Sequence, residues 1–198
     1  MSPLSTKEKI KLAAKKLISE LGYKSASVRK IASDVGIRES ALYNHYTNKE
    51  EIFLDILQDI FASPFSTSTQ NVKEDALKGK LFLHRFVTQY KLVSFDKESE
   101  ILFRILLLEI FSNKGLRERF FEDFHNKNIK VLSEAFFIMM QNNLIRSSDP
   151  MTMSYEFIST LFYIRFQITL LRFDSISTTN LSTQFEKHVD FFWEGIKV

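Results

Sequence analysis

The chain has 198 residues and a formal net charge of +3 at pH 7, and 44% of its residues are hydrophobic. It has no cysteine, which excludes disulfides, thiolate metal sites and cysteine nucleophiles. With 5 Gly, 3 Pro and almost no alternation of apolar and polar residues, the composition predicts an all-α fold of one or two domains.

Basic residues are concentrated near the N-terminus. Residues 1–50 contain ten Lys and Arg against five Asp and Glu, whereas residues 51–198 contain seventeen against nineteen. This asymmetry is expected if the N-terminal part meets a phosphate backbone. The apolar runs are too short to span a bilayer, and charged residues begin at Lys7 without the apolar stretch of a signal peptide. We therefore expect a cytoplasmic protein.

The first predicted helix begins at Ser5, because Ser5 and Glu8 have the spacing of a capping box, and it ends at Gly22. Its predicted buried stripe consists of Ile10, Ala13, Ala14, Leu17 and Leu21. Residues 23–26 are expected to form a loop, and Ser27 is expected to cap the next helix.

Residues 28–46 have the pattern of two short helices joined at a glycine. Val28–Val35 has apolar residues at helical spacing, and Gly36 permits a tight turn. A second helix, from Arg38 to about Tyr46, has a polar outer face. This pattern predicts a helix-turn-helix, which places its second helix in the major groove of DNA.

Roughly the first 60 residues resemble the DNA-binding domain of TetR-family (tetracycline-repressor-like) transcriptional regulators. The resemblance is carried by Ser27-Val28-Arg29, Ile31-Ala32, Gly36-Ile37, Leu42-Tyr43, His45-Tyr46 and Asn48-Lys49-Glu50. It implies an N-terminal three-helix helix-turn-helix domain at 1–47 and a C-terminal helical ligand-binding and dimerisation domain at 48–198. The helix at 48–62 is then expected to link the two.

The predicted DNA-binding residues are Ser27, Arg29, Arg38, Glu39, Ser40, Tyr43, Asn44, His45 and Lys49. Arg38 can reach a guanine edge or a phosphate, and the short polar side chains beside it can reach base edges or backbone oxygens. The resemblance assigns phosphate contacts to Tyr43 and Lys49. Two residues depart from the family pattern: Arg38 stands where a small capping residue is common, and Glu39 stands where a basic or neutral residue is common.

A further helix, opened by Asn48 and Glu51, is expected to run to about Ala62, where a Ser/Thr-rich segment ends it. Five more helices are predicted from the apolar periodicity that follows. They cover about 71–93, 99–111, 116–142, 150–173 and 181–196.

The last two predicted helices are apolar on more than one face. Two such helices from each of two subunits can form a four-helix dimer interface, which the resemblance also implies. The predicted interface residues are Phe157, Leu161, Ile164, Ile168, Phe185, Val189, Phe192 and Trp193. Burial of these residues within a single subunit is the alternative.

Twenty phenylalanines favour either a site for an apolar or aromatic small molecule or a dry core. The candidate ligand-binding residues are Phe103, Phe124, Tyr163, Arg165 and Gln167. Arg165 and Gln167 are singled out because they interrupt an otherwise apolar helix.

The sequence offers no catalytic constellation, since His84, His125 and His188 lie far apart and no phosphate loop or nucleophile elbow is present. We therefore predict no enzymatic activity, no cofactor and no metal. The leading hypothesis is a homodimeric repressor that binds palindromic double-stranded operator DNA and is released by a small apolar or aromatic effector. The alternatives are a TetR-like DNA-binding protein controlled by a protein partner without a small ligand, and a transcriptional activator.

Overall fold

The computed structural model describes residues 3–62 and 71–198, without the side chains of Phe61, Ala62, Asp123 and Phe124. These residues form helices and no β-strand, apart from one isolated antiparallel bridge between Ile145 and Lys197. The helices are α1 (Thr6–Ser25), α2 (Val28–Val35), α3 (Glu39–Leu42), α4 (Lys49–Ala62), α5 (Val72–Ala76), α6 (Lys80–Phe95), α7 (Lys97–Glu109), α8 (Lys114–Arg119), α9 (Lys127–Gln141), α10 (Pro150–Phe173) and α11 (Gln184–Ile196). The predicted all-α fold is confirmed.

The chain divides into two compact units. Among the described residues, the N-terminal unit is formed by 3–62 and 97–118, in which α7 packs against α1 and α4. The C-terminal unit is formed by 71–96 and 119–198, in which α9 packs against α5 and α10, and α6 against α10 and α11. Among residues 3–62 and 71–198, no helix combines the length and apolar character needed to cross a bilayer. The predicted Ser/Thr-rich boundary at 63–70 lies outside the described residues.

Helix α1 begins as predicted, because the Ser5 hydroxyl accepts from the Glu8 backbone N–H and the Glu8 carboxylate accepts from the Ser5 N–H. Its end differs from the prediction. Gly22 has a φ of 76° and kinks the helix, after which one further turn continues to Ser25. The buried stripe also differs, since Ile18 is fully buried while Leu21 is 45% exposed.

Two long helices predicted in the C-terminal part are interrupted. The helix expected over 71–93 is divided into α5 and α6 at Gly79, which has a φ of 55°. The helix expected over 116–142 consists of α8, a π-helical segment at Phe120–Asn126, and α9. The first interruption lies at a glycine, a local signal that apolar spacing alone overlooks, and the second is a π-helical turn that apolar spacing does not distinguish from an α-helix.

The last two helices begin close to the predicted positions. Asp149 caps α10 by accepting from the Thr152 backbone N–H at 2.6 Å, with Pro150 in the first turn. Before α11, Thr179–Leu181 forms a short 3₁₀ turn, so that the α-helix begins at Gln184.

Candidate nucleic-acid interface

Helix α2 is defined at both ends by its own residues. The Ser27 hydroxyl accepts from the Lys30 backbone N–H at 3.2 Å, which satisfies one of the free donors at the helix start. At the other end Gly36 adopts a left-handed conformation with a φ of 78°, and the Ile37 N–H donates to the Ala32 carbonyl at 3.0 Å. The predicted turn between the two helices is therefore present and has the residue type its backbone requires.

The second helix is shorter than predicted. The regular part of α3 covers only Glu39–Leu42, and looser turns carry the chain on to Tyr46. In those turns the His45 and Tyr46 N–H groups both donate to the Leu42 carbonyl, at 2.9 and 3.2 Å. The result preserves the predicted orientation of the inner side, because Leu42 and Tyr46 are both buried.

The outer side of α2, α3 and the following turn is polar and exposed. The exposed residues among those predicted to bind DNA are Ser27, Arg29, Arg38, Glu39, Ser40, Tyr43 and Asn44, and His45 is partly exposed. Arg38 is the N-cap residue immediately before α3, but its side chain makes no capping hydrogen bond. Its guanidinium is therefore not engaged in holding α3, and it projects from the exposed surface.

Lys49 differs from the other predicted contacts, because its ammonium group is held inside the N-terminal unit. Its Nζ donates to the Tyr23 carbonyl at 2.8 Å and lies 4.2 Å from the centre of the Tyr23 ring. Tyr23 in turn packs against Phe53, with ring centres 4.6 Å apart. Lys49 thus connects the start of α4 to the end of α1, which is a structural role that the sequence did not reveal.

A network of opposite charges lies between α1, α4 and α7. Lys11 Nζ is 2.8 Å from both Asp55 Oδ1 and Asp59 Oδ1, and Lys15 Nζ is 2.7 Å from Asp59 Oδ2 and from Glu98 Oε1. Lys15 is itself only 5% exposed. Part of the basic excess near the N-terminus is therefore neutralised internally and does not contribute to the outer surface.

Tyr46 joins this network through its hydroxyl, which donates to Asp55 Oδ2 at 2.7 Å. Burial favours the protonated form of Asp55, but hydrogen bonds from Lys11 and Tyr46 outweigh burial and hold the pKa of Asp55 below its usual value. Burial is the main cause that raises the pKa of Tyr46 well above its usual value, and the hydrogen bond to Asp55 raises it further. Asp55 is thus ionised and Tyr46 neutral at pH 7, which fixes the turn after α3 on α4.

The α7 helix supports the same region from the other side. Glu109 is 8% exposed, and its Oε1 accepts from the Tyr23 backbone N–H at 2.7 Å, immediately after the Gly22 kink. Ser112 Oγ donates to the other carboxylate oxygen at 3.1 Å. The sequence analysis did not identify the residues of α1, α4 and α7 that support the helix-turn-helix in this way. Only Asp55 and Asp59 gave a signal, since a spacing of four places both carboxylates on one face of α4.

The candidate ligand-binding residues lie in different environments. Phe103 is fully buried in the N-terminal unit, whereas Tyr163 is 58% exposed and Gln167 is partly exposed on α10. Arg165 is 2% exposed and hydrogen-bonds Tyr90; burial lowers the pKa of Arg165 to about 10, so the group remains charged at pH 7. The side chain of Phe124 lies outside the described residues.

Six of the predicted dimer contacts are buried within a single subunit. These six side chains are at most 5% exposed in a single subunit and therefore have almost no surface to offer a partner. They are Phe157, Leu161, Ile164, Ile168, Phe185 and Val189. These six residues are thus buried within one subunit, the alternative that the sequence left open, because α9 and α6 cover the faces of α10 and α11 that carry these residues. Phe192 and Trp193 are partly exposed.

A different part of α10 and α11 is open. A groove of about 500 Å³ runs between the two helices and is lined by Thr160, Tyr163, Ile164, Gln167, Leu181, Gln184, Lys187, His188 and Phe191. Phe191 is 83% exposed and Tyr163 58% exposed. This exposed aromatic surface lies on the same two helices that the sequence singled out, but of the predicted dimer contacts only Ile164 lines the groove.

Residues 10–56 match the sequence profile of the family described as bacterial regulatory proteins, tetR family. The chain is also similar to HTH-type transcriptional repressor AcnR of Corynebacterium efficiens, with 27% identity over 79 residues, which are 40% of this chain and 42% of that protein. It is 26% identical over 107 residues to the fatty acid metabolism regulator protein of Bacillus subtilis, covering 54% of each chain. The matched segment thus spans about half or less of these curated relatives.

Solved structures resemble the chain over nearly its whole length. One is SmeT, the repressor of the Stenotrophomonas maltophilia multidrug efflux pump SmeDEF, with a TM-score of 0.62 and 16% identity over 98% of this chain and 91% of that chain. Another is the ketosteroid transcriptional regulator KstR2 of Mycobacterium tuberculosis, with a TM-score of 0.63 and 15% identity over 100% and 97%. At these identities the likeness establishes a shared fold.

Proposed function

We propose that the chain is a TetR-family regulator, namely a homodimeric repressor that binds a palindromic operator and responds to a small molecule; the match of residues 10–56 to the family profile supports this. Regulators of this family are DNA-binding transcription factors and not enzymes. The observation that carries the proposal is the helix-turn-helix of α2 and α3, with its buried apolar side and its exposed polar side.

The proposed DNA contacts follow from exposure and chemistry. Arg29 and Arg38 supply guanidinium groups for phosphates or guanine edges, and Tyr43 and Asn44 supply hydrogen bonds from the turn after α3. Glu39 is exposed beside Arg38 and is suited to accept from a cytosine amine. Ser27 has its hydroxyl engaged as a cap, so a phosphate contact there is more naturally made by the free N–H groups of the first turn of α2.

The proposed dimer uses the exposed surface of α10 and α11. Tyr163 and Phe191 provide large apolar area, and Gln167 and Lys187 provide a polar rim, which is the composition of a subunit interface. A two-fold axis through such a surface makes the contact self-complementary. Two copies of α3 are then expected to enter successive major grooves about 34–36 Å apart.

Small-molecule control is supported by the fold and by one neighbour. SmeT has been solved in complex with triclosan, and that structure has a TM-score of 0.65 to this chain with 16% identity over 98% of this chain and 93% of that chain. In a protein with two conformations of different DNA affinity, a molecule that binds better to the weaker-binding conformation releases the DNA.

The proposal is tested by selecting bound sequences from random DNA with the full chain, followed by affinity measurements on the selected site. We expect a palindromic consensus with half-sites one helical turn apart and a Kd that weakens steeply between low and physiological salt. Equal affinity for the selected site and for random DNA at every salt concentration would contradict the proposal.

A further inference from the structure

A cleft of about 290 Å³ opens in the C-terminal unit between the π-helical segment and α10. It is lined by Phe120, His125, Tyr155, Ile158, Ser159 and Phe162. From this cleft we propose a binding site for a neutral, flat aromatic molecule of one or two rings that carries a hydroxyl group. None of the five residues that the sequence singled out for ligand binding lies among these lining residues.

The backbone of the π-helical segment explains why two of its residues, Phe120 and His125, face the same cleft. In an α-helix, residues five apart point about 140° away from each other. In a π-helix the hydrogen bonds run between residues five apart, and the wider turn brings such residues toward the same side of the helix. Phe120 and His125 are five apart and both line the cleft. A wider turn of this kind is uncommon and is often found at functional sites.

The wall formed by α10 is a single helical face. Tyr155, Ile158, Ser159 and Phe162 follow one another at the spacing of neighbouring turns. Ile158 is 7% exposed and forms the floor, while Tyr155 is 43% exposed and stands at the rim. The cleft is therefore built from the regular part of a long helix, which holds its side chains in fixed positions.

The rings of the cleft are arranged for aromatic contact. The His125 and Tyr155 ring centres are 5.4 Å apart, and those of Phe120 and Phe162 are 6.4 Å apart in an edge-to-face arrangement. Flat aromatic molecules gain from offset-stacked and edge-to-face contacts at such distances. Two aromatic pairs lining one cleft thus favour an aromatic occupant over an aliphatic one.

The size of the cleft and the lack of charged groups in its lining further limit the kind of molecule that it can bind. An apolar cavity of about 150 Å³ in another protein holds benzene, so a cleft of twice that volume accommodates one or two rings. Among the described lining residues there is no Lys, Arg, Asp or Glu to balance an ionic group. The His125 ring, the Tyr155 hydroxyl and the Ser159 hydroxyl supply the hydrogen bonds that orient a hydroxyl on the ligand.

The test uses 2-naphthol as the probe and isothermal titration calorimetry of the full chain without DNA. We expect one molecule of 2-naphthol per chain with a Kd of about 10–100 μM, and binding of cyclohexanol at least about 10-fold weaker. Absence of 2-naphthol binding below about 1 mM would overturn the proposal.

Two substitutions in the cleft test whether 2-naphthol binds there. Ser159→Trp fills the cleft with an indole ring and is expected to weaken 2-naphthol binding at least about 10-fold, whereas the matched change Ser147→Trp, on an exposed loop, leaves it unchanged. His125→Leu is the second variant, since it keeps apolar volume but removes the ring nitrogens; weakening of about 5-fold is expected. Wild-type affinity in both cleft variants, with normal thermal unfolding, would place the bound molecule elsewhere and overturn the proposal.

The regulatory consequence rests on the proposed function, whereas binding itself does not. If 2-naphthol occupies the cleft, a titration against the operator complex is expected to raise the DNA Kd in wild-type protein but not in Ser159→Trp. A chain that binds 2-naphthol as described but has no sequence preference for DNA contradicts the proposed function and leaves the site standing.

Discussion

At the scale of single residues, Arg38 and Lys49 are both basic and both lie near the helix-turn-helix, but the structure gives them different roles. Arg38 is exposed and does not cap α3. Removing its side chain as Arg38→Ala should therefore weaken operator binding by about 1–3 kcal/mol without changing the melting temperature. Fluorescence anisotropy with operator DNA measures the first quantity. Lys73→Ala, an exposed lysine of the C-terminal unit, is the matched control and should leave binding unchanged.

Lys49→Ala should change stability as well as binding. The ammonium group loses its bond to the Tyr23 carbonyl and its contact with the Tyr23 ring, which are worth together about 1–2 kcal/mol. We expect urea unfolding at a lower midpoint, weaker DNA binding and a shallower dependence of binding on salt. If the midpoint stays at the wild-type value while binding is lost, Lys49 acts on DNA alone and its bond to Tyr23 is energetically unimportant.

At the scale of elements, Gly79 is the residue that separates α5 from α6. Its φ of 55° is unfavourable for a residue with a side chain, and a Cβ would lie 2.9 Å from Cη2 of Trp193. Gly79→Ala should therefore destabilise the C-terminal unit by about 1–3 kcal/mol, as measured by urea unfolding. Gly195→Ala, within α11 and with open space around its Cβ, is the control. It should be neutral or stabilising by up to about 1 kcal/mol.

The packing of α10 on α11 should weaken in mild acid because of His188. Its Nε2 donates to the Phe157 carbonyl at 2.9 Å, and its ring lies 4.8 Å from the Phe157 ring and 5.9 Å from that of Phe192. Burial lowers the pKa of His188, and the bond to the carbonyl offsets burial only in part. A pKa lowered on folding contributes stability that is present above the unfolded value of about 6.5 and is lost as the pH falls through the folded value.

The measurement is the melting temperature between pH 7.5 and 5. We expect it to fall in wild-type protein and to fall less in His188→Gln, which retains a donor for the carbonyl but does not titrate. His84→Gln is the control, since His84 is partly exposed, lies 3.5 Å from Asp190 and does not contact Phe157. An identical pH dependence in wild type and His188→Gln would show that His188 is not the responsible group.

At the scale of the whole molecule, the sequence predicted those structural features that depend on residues close together in the chain. The capping residues Ser5 and Ser27 and the turn at Gly36 act on neighbouring backbone groups, and their roles could be inferred from spacing alone. The exposed polar face of α2 and α3 followed from the same periodicity. The π-helical turn at Phe120–Asn126 could not be predicted, because it depends on packing between elements distant in the sequence.

Helix α10 shows a second limit of sequence reasoning. It is apolar around much of its circumference, so periodicity identifies many residues that need cover but does not tell which are covered within the subunit. The fully buried residues Phe157 and Leu161 and the 50% exposed residue Leu170 are all strongly apolar in the sequence. Only the positions of α6, α9 and α11 separate the core face of α10 from the face left for another partner.

The exposed surface of α10 and α11 allows a test of the proposed dimer. Phe191→Glu removes the most exposed ring of the proposed interface and puts in its place a carboxylate, whose desolvation there costs several kcal/mol. We expect light scattering after gel filtration to change from twice the chain mass to the chain mass of 23.2 kDa. Binding to the palindrome should weaken strongly, because each chain then engages one half-site alone.

Phe137→Glu is the matched control for this change, since Phe137 is a 50% exposed phenylalanine on α9, away from the α10 and α11 groove. It should leave both the mass and the DNA affinity unaltered. A Phe191→Glu protein that still elutes at twice the chain mass, beside a Phe137→Glu protein that dissociates, would move the dimer interface to α9. The two-fold axis of the DNA complex would then have to pass through a face other than the groove between α10 and α11.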